Sequence, residues 1–389
     1  MKNRDRAFRR LAAILSLAFL AGCLETKTGS NGTGTLPPVT KTFPSLVEGT
    51  VIGAEPFSVG LATLDVSGAS LRRDETANAG STELRLGMNL EAAGTVTGEY
   101  GTVPVVLREG SAQSAVRGPV ISVDAAGNRF TVATFTFVVD MNTLYDGVAG
   151  LAALAPGAYV EVSGLPLANL RTLLATRITR TAAPSDGRIS VSARIDGFAV
   201  QGLTLGGISV PGASSASFSP APALGGRARV SGIFNPQTAT ITNEQVLVLA
   251  DPVPAADTRV ELEGIALNVA ANGAFLLRTP AHDYDVAPGL PTVTPGARVR
   301  VVATAASPSL LTPASITVIG SEPTVYRVSG TVSEFTSLAA LRVRGEPVDL
   351  TLAVIRGGSA SDIANGRRLA IVGTAGPGAL RVTEATLLP

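Results

Sequence analysis

The sequence repeats itself about every 70 residues, and this period constrains the fold more than any other feature. A short alternating motif with a small residue at its centre recurs five times. The central residues are Gly49, Gly118, Ala193, Gly264 and Gly330, which are 69, 75, 71 and 66 residues apart. The body of the chain is therefore predicted to consist of five similar units.

A second marker keeps the same period. In each unit a glycine is followed seven residues later by glycine or alanine. The pairs are Gly87/Gly94, Gly157/Gly164, Gly225/Gly232, Gly296/Ala303 and Gly366/Gly373. Because the two markers are independent and agree, units are predicted at 46–113, 114–183, 184–253, 254–321 and 322–389.

Local signals within a unit indicate β-strands. In the second unit, residues 115–123 are rich in Val, and residues 129–139 combine Phe, Val and Thr, which suit a pleated surface. Further strands are expected at 159–162 and 173–180. Between the third and fourth strands of the fifth unit, residues 359–366 carry Ser and Asp near the start and Gly at the end, as one or two helical turns would.

Three strands, a short helix or loop and two more strands follow one another in the order of a five-stranded OB-type barrel. Closure suits small units because an open sheet would expose long edges. The sequence thus predicts an all-β chain of five tandem small five-stranded OB-like barrels, each with at most one short helix, after a signal peptide and a flexible tether. Five small open sandwiches are the alternative.

The N-terminus has the pattern of an export signal. Residues 2–10 hold five basic side chains against Asp5, and residues 11–21 form an uncharged apolar run. That run is well short of the ~20 apolar residues that span a membrane. It ends in Leu20-Ala21-Gly22-Cys23, which contains the only cysteine of the chain. Residues 1–22 are predicted to be a signal peptide; an ordinary cleaved signal with a chance cysteine is the alternative.

Leu20, Ala21, Gly22 and Cys23 resemble the lipobox of bacterial lipoproteins, in which the cysteine is lipidated and begins the mature chain. The resemblance implies a lipid on Cys23 and a place in the cell envelope. Because Leu24 rather than Asp follows the cysteine, the resemblance favours the outer membrane, with the body facing the periplasm or the cell surface. Residues 23–45, rich in Thr, Gly, Ser and Pro, are expected to be the lipidated cysteine and a linker.

The lipobox and the paired-glycine units together resemble a bacterial domain-of-unknown-function family whose members are often lipoproteins. The second unit is the most regular copy, whereas the third departs from the pattern with Ala193 in place of glycine. The resemblance covers nearly all of residues 46–389 and implies a small OB-like β-barrel and an envelope location. It carries no catalytic residues to transfer.

The composition excludes several kinds of active site. Lys2, Lys27 and Lys41 are the only lysines, so the body has none for a phosphate-binding P-loop or a Schiff base. His282 is the only histidine, and with Cys23 the only cysteine, zinc sites built from these residue types are excluded. No catalytic residue, metal site or cofactor is expected, and the chain is predicted not to be an enzyme.

Two local clusters of polar residues are candidate sites that would contradict this expectation. His282-Asp283-Tyr284-Asp285 could bind Ca²⁺ or supply a base, but one segment shows no convergent geometry, so a solvated loop between strands is expected. Residues 140–147 fail as a Ca²⁺ loop because Leu144 occupies a ligand position.

Nucleic acid is not expected as a partner. From residue 42 onward, 24 arginines stand against 28 acids, a net charge of −4, and the arginines are scattered. A nucleic-acid groove needs a basic field and stacking aromatics. The absence of Trp also weakens a sugar-stacking site.

The sequence therefore predicts an envelope lipoprotein, anchored to the membrane through its N-terminal lipid, that acts as a non-enzymatic spacer or protein-binding scaffold. The alternative is a binder of a small ligand or envelope polysaccharide through a groove on or between barrels. A hydrolase centred on His282 is the third hypothesis. The expected partner is an envelope protein or glycan.

Overall fold

Short β-strands joined by tight turns make up most of the chain in the computed structural model. It describes residues 41–98, 100–199, 202–212, 221–289, 291–320 and 322–389. Helical structure in these ranges is limited to three short 3-10 turns, at Ser81–Glu83, Leu151–Ala153 and Ala360–Asp362. No helix in the described ranges is long and apolar enough to cross a membrane.

The first ring of strands closes on itself. Its strands are β1 (Thr42–Ala54), β2 (Phe57–Val59), β3 (Ala62–Asp65), β4 (Ser70–Arg73), β5 (Thr76–Ala77), β6 (Asn89–Thr97) and β7 (Val105–Ala112). β1 pairs antiparallel with β2 and β6, and β6 pairs antiparallel with β7. β3 completes the ring because it pairs antiparallel with β2 and parallel with β7. β4 and β5 form a small hairpin beside β7.

The second and third rings repeat this order. The second consists of β8 (Val116–Asp124), β9 (Arg129–Val132), β10 (Phe135–Val138), β11 (Leu144–Asp146), β12 (Tyr159–Pro166) and β13 (Thr172–Arg180). The third consists of β14 (Ile189–Ala199), β15 (Gly202–Leu205), β16 (Ile208–Pro211), β17 (Arg227–Asn235) and β18 (Thr240–Val248). The closing parallel pairs are β10–β13 and β16–β18.

The fourth and fifth rings follow the same pattern. The fourth consists of β19 (Arg259–Leu267), β20 (Phe275–Arg278), β21 (Asp283–Val286), β22 (Arg298–Ala305) and β23 (Leu310–Ile319). The fifth consists of β24 (Tyr326–Ser337), β25 (Ala340–Val343), β26 (Glu346–Asp349), β27 (Val354–Arg356), β28 (Arg368–Ala375) and β29 (Leu380–Leu388). Their closing parallel pairs are β21–β23 and β26–β29.

Five strands of each ring form its barrel, and the short strands β4, β5, β11 and β27 are additional to it. The fourth and fifth barrel strands are therefore β6 and β7 in the first ring, β12 and β13 in the second, and β28 and β29 in the fifth. Around each barrel the order is first, second, third, fifth and fourth, and the fourth strand pairs with the first, as in an OB-type barrel. This confirms the prediction of an all-β fold made of small closed five-stranded barrels and excludes open sandwiches. The first strand begins at Thr42, inside the stretch expected to be linker. That the rings are repeats of one unit, with the boundaries given above, stays a prediction.

The paired glycines meet two different demands of the backbone. The first glycine of each pair has a left-handed φ, which favours glycine, just before the fourth strand: +77° at Gly87, +85° at Gly157, +78° at Gly225, +85° at Gly296 and +87° at Gly366. The second member lies at a β-bulge in the fourth strand. At Gly94 a Cβ would come within 2.2 Å of the Val106 carbonyl oxygen.

The apolar cores do not stop at the ring boundaries. One buried cluster joins side chains of the first and fifth rings, such as Val47 and Val328. A second joins the second and third rings, such as Phe137 and Val191. The third cluster belongs to the fourth ring and includes Leu46 of β1. Since residues 40–389 form one compact unit, the rings are packed together and not strung out as separate beads.

Candidate polar junction between the barrels

The first strand, β1, is shared among three rings. Besides its antiparallel partners in its own ring, it pairs parallel with β19 of the fourth ring, from Ser45↔Arg259 to Glu48↔Leu262. It also pairs parallel with β24 of the fifth ring, at Gly53↔Arg327 and Ala54↔Val328. At Gly49 a Cβ would come within 2.8 Å of the Glu263 Cβ, so this glycine lets the fourth ring approach β1 closely.

Equivalent positions on the first and fourth strands of the rings carry charges toward this junction. On the first strand, the position is the one just before the small central residue, for example Glu48 before Gly49. On the fourth strand, it is the position three residues before the second glycine or alanine of the pair, for example Glu91 before Gly94. The two positions lie directly opposite each other in the antiparallel pair of strands. The opposed pairs are Glu48/Glu91, Arg117/Glu161, Ser192/Arg229, Glu263/Arg300 and Ser329/Ala370. Most of the charged members are buried because a neighbouring ring covers them.

Buried ion pairs join different rings at these positions. Arg229 of the third ring is 1% exposed and contacts Asp74 at 3.0 Å and Glu75 at 2.7 Å, both in the first ring. Its Nη1 also donates to the Ser114 carbonyl at 3.0 Å. Glu161 of the second ring accepts from Arg73 of the first ring at 2.8 Å. Such pairs fix the rings in one arrangement because an unpaired buried charge is costly.

A second set of contacts attaches the fifth ring. The Arg177 guanidinium in the second ring is 3% exposed. It donates to Glu346 of the fifth ring at 2.7 Å, to the Leu86 carbonyl of the first ring at 2.9 Å and to Asp146 at 2.7 Å. Three rings therefore meet at a single arginine.

The most acidic part of the junction lies among the first, third and fourth rings. We call Glu48, Glu91, Asp251 and Arg227 the acidic junction. Arg227 Nη2 contacts Glu91 Oε2 and Asp251 Oδ1, and Arg227 Nε donates to Asp251 Oδ2 at 2.7 Å. Glu48 Oε1 accepts from the Ala281 backbone N–H at 3.0 Å. Two carboxyl groups, those of Glu91 and Asp251, thus share one guanidinium, and Glu48 lines the same small cavity as Glu91 and Arg227.

Burial changes the protonation of these groups. It raises the pKa of Glu48 from 4.5 to about 7, with Arg227 opposing the change. Burial also raises the pKa of Glu91 well above its ordinary value, again against the effect of Arg227, and the Glu48 charge adds to the rise. The two glutamates are directly opposed on β1 and β6, so each disfavours ionisation of the other.

Three cavities adjoin the acidic junction. A small one of about 20 Å³ lies between Glu48, Glu91, Gln113 and Arg227. It shares Gln113 and Arg227 with a cavity of about 50 Å³ that extends toward Phe135 and Leu173 of the second ring. It shares Glu91 and Ser111 with a surface groove of about 300 Å³. The small cavity therefore lies next to a surface groove that Glu91 and Ser111 also line.

The cluster at residues 282–285 does not form a solvated loop. Asp283 begins β21 and pairs with Arg194 of the third ring and Arg278 of the fourth, each at 2.8 Å. The Tyr284 side chain is 1% exposed, and the His282 ring meets it edge-on at 5.9 Å. Burial lowers the pKa of His282. Asp283, the acid next to the histidine in the sequence, is therefore held by two arginines.

The remaining residues singled out from the sequence have other places. Leu20, Ala21, Gly22 and Cys23 lie outside the described residues. In the segment 140–147, Asn142 Oδ1 accepts from the Thr324 N–H at 2.6 Å and thereby joins the second and fifth rings. Among the described residues, no three His, Cys, Asp or Glu side chains are arranged to hold a metal ion.

The acidic junction was missed from the sequence. Glu48 and Glu91 occupy outward-facing positions of alternating strands, which normally face water. The available signal was a charge at equivalent positions of four of the five units.

Comparison with known families identifies one part of the chain. Residues 117–179, within the second ring, match the model of a domain of unknown function, DUF5666. No curated protein matches the chain. The chain thus contains a domain similar to DUF5666 in its second barrel.

Proposed function

We propose that the chain is a non-enzymatic lipoprotein of the outer membrane, anchored through a lipid on Cys23, whose packed barrels form a rigid protein-binding scaffold. The proposal of a rigid scaffold is supported by the buried arginines that join the rings, above all Arg229 and Arg177. A passive spacer made of independent barrels has no need of them. The anchor is supported by the lipobox resemblance at residues 20–23.

In-cell crosslinking followed by mass spectrometry tests this function. The lipidated wild type is compared with Cys23→Ala, which is expected to lose the membrane anchor. A photo-crosslinking residue at Leu352, whose side chain is 78% exposed, probes the surface without entering a core. A dominant envelope protein that is captured by the wild type and lost in Cys23→Ala supports a scaffold that works at the membrane.

A second variant separates scaffold from spacer. Arg229→Met removes the pairs with Asp74 and Glu75 but leaves residues 1–45 unchanged. If the rigid arrangement of barrels is what the partner recognises, this variant stays at the membrane and loses the partner. Unchanged capture by Arg229→Met, or the absence of any captured protein in the wild type, contradicts the scaffold.

The alternative of glycan binding is favoured by a different observation. Grooves of about 380 and 450 Å³ occur at equivalent places of the fifth and fourth rings. Both are lined by the end of the first strand or the loop after it, by the second and third strands, and by the start of the fifth strand or the turn before it. This is the face on which OB-folds bind oligosaccharides. Leu341 and Arg342 line one groove, and Leu276 and Asp285 line the other.

A thermal-shift panel of envelope glycans tests this alternative. Binding that is weakened by Asp285→Ala, a change at an exposed side chain, would assign the ligand to the fourth-ring groove. A flat panel contradicts glycan binding for the sugars used.

A further inference from the structure

Three buried acceptor oxygens at and beside the acidic junction have no hydrogen-bond donor among the described residues. Glu48 Oε2, Glu91 Oε1 and Gln113 Oε1 are buried and have no hydrogen-bond partner among the described residues. The three side chains belong to residues that are 2%, 5% and 9% exposed. All three line the same cavity of about 20 Å³. Buried polar atoms without partners are rare in native proteins, so a missing group is indicated.

We propose that this cavity binds one hard cation through Glu48, Glu91 and Gln113. Carboxylate and amide oxygens are the ligands that hard cations such as Ca²⁺ take from proteins. Gln113 presents its oxygen as the acceptor because its Nε2 donates to the Asp74 carbonyl at 3.2 Å and to Ser111 Oγ at 3.0 Å. These two contacts therefore orient the amide with its oxygen as the free acceptor.

Ionisation of the carboxyl groups leaves the site with an excess of negative charge. When ionised, Glu48, Glu91 and Asp251 carry three negative charges, and Arg227 supplies one positive charge. The guanidinium is directed to Glu91 Oε2 and to both oxygens of Asp251, which leaves Glu48 Oε2 and Glu91 Oε1 unpaired. Uncompensated buried charges are destabilising, and a divalent ion at these two oxygens would neutralise the remainder.

The size and access of the cavity fit an ion. A volume of about 20 Å³ holds one ion or one water, because a single water needs about 10–15 Å³. The adjoining cavity of about 50 Å³ has room for waters that complete the coordination. From the surface, the groove of about 300 Å³ leads to Glu91 and carries Glu109 and Asp251 against Arg72, so its charge attracts cations.

Calcium binding by the full chain at pH 8 is the direct test. Equilibrium dialysis with radioactive Ca²⁺ is expected to show one ion bound per chain, and thermal unfolding is expected to show a saturable rise in Tm with Ca²⁺. Glu91→Gln and Gln113→Leu should each weaken binding at least tenfold. Glu322→Gln, at an exposed carboxylate far from the junction in sequence, is the matched control and should bind as the wild type does.

Glu48→Gln guards against a trivial result from unfolding. It keeps the oxygen that accepts from Ala281 and changes only the charge at the cavity, so circular dichroism should show a folded chain. Weakened Ca²⁺ binding in this folded variant supports the site. No saturable binding of Ca²⁺ by the wild type, or equal binding by Glu48→Gln, Glu91→Gln and the wild type, would overturn the proposal and leave bound protons as the neutralising charge.

Discussion

We expect Glu261 to make the stability of the chain depend on pH. Glu261 lies on β19 and is 1% exposed. Its Oε1 accepts a hydrogen bond from the Leu61 N–H at 2.5 Å, which joins the fourth ring to the first. Arg300 Nε lies 3.6 Å from the same oxygen. Burial raises the pKa of Glu261 from 4.5 to about 7, because these contacts offset only part of the desolvation.

The sign and the size follow from proton linkage. Between pH 4.5 and about 7 the folded chain keeps a proton on Glu261 that the unfolded chain has lost, so the free energy of unfolding falls as the pH rises. The stabilisation is fully present below pH 4.5 and is lost as the pH passes about 7. At about 1.4 kcal/mol per pH unit, the loss over this window is about 3 kcal/mol.

Glu261→Gln removes this titration and keeps an oxygen that can accept from Leu61. Urea unfolding at pH 5 and pH 8, followed by circular dichroism, gives the difference in free energy of unfolding between variant and wild type. That difference should shift in favour of the variant by about 2.5 kcal/mol between pH 5 and pH 8, because a small part of the titration lies below pH 5.

The control for this experiment is Glu322→Gln, whose exposed carboxylate should leave the pH dependence unchanged. Buried acids that do not interact with Glu261 contribute equally to wild type and variant, so they cancel in the comparison. A shift below about 1 kcal/mol would refute the argument, because it would mean that Glu261 is ionised in the folded chain at neutral pH.

Two further changes test the packing of the rings. Arg177→Met should lower the free energy of unfolding by about 3–5 kcal/mol, because it leaves Glu346 buried without its partner; Arg356→Ala, which breaks the exposed pair with Glu384, should cost at most about 1 kcal/mol in the same urea titration. Gly94→Ala should cost about 1–3 kcal/mol because its Cβ would meet the Val106 carbonyl; Gly68→Ala, which meets open space, should leave Tm within a degree or two, and equal Tm values for the two variants would contradict the bulge argument.

The strands and their order could be predicted because the signals are local. Alternation of residue types marks the strands, and each marker glycine reflects a demand of its own backbone, a left-handed φ at Gly87 and a bulge at Gly94. Ala303 shows the limit of that signal, since it forms the same bulge with a Cβ. The short helix expected at 359–366 is the turn Ala360–Asp362, which Ser359 caps through hydrogen bonds with Asp362.

The acidic junction could not be predicted in the same way. Glu48 and Glu91 face outward from their barrel, as alternation requires, but a neighbouring ring covers that face. Which ring covers it depends on contacts between residues more than 200 positions apart, such as Thr50 with Glu263, separated by 213 positions. His282 attracted attention as the only histidine, yet its neighbour Asp283 is held by Arg194 and Arg278.

The sharing of β1 among three rings has a consequence for the order of assembly. During synthesis from the N-terminus, β1 is made long before its parallel partners β19 and β24. These partners pair with β1 through Arg259–Leu262 and Arg327–Val328. The first barrel can close early, but the parallel pairs that β1 makes with β19 and β24 can form only after almost the whole chain has been synthesised. A polypeptide that stops before residue 326 would leave Gly53 and Ala54 without their last partner, so the far end of the chain completes the folding of its beginning.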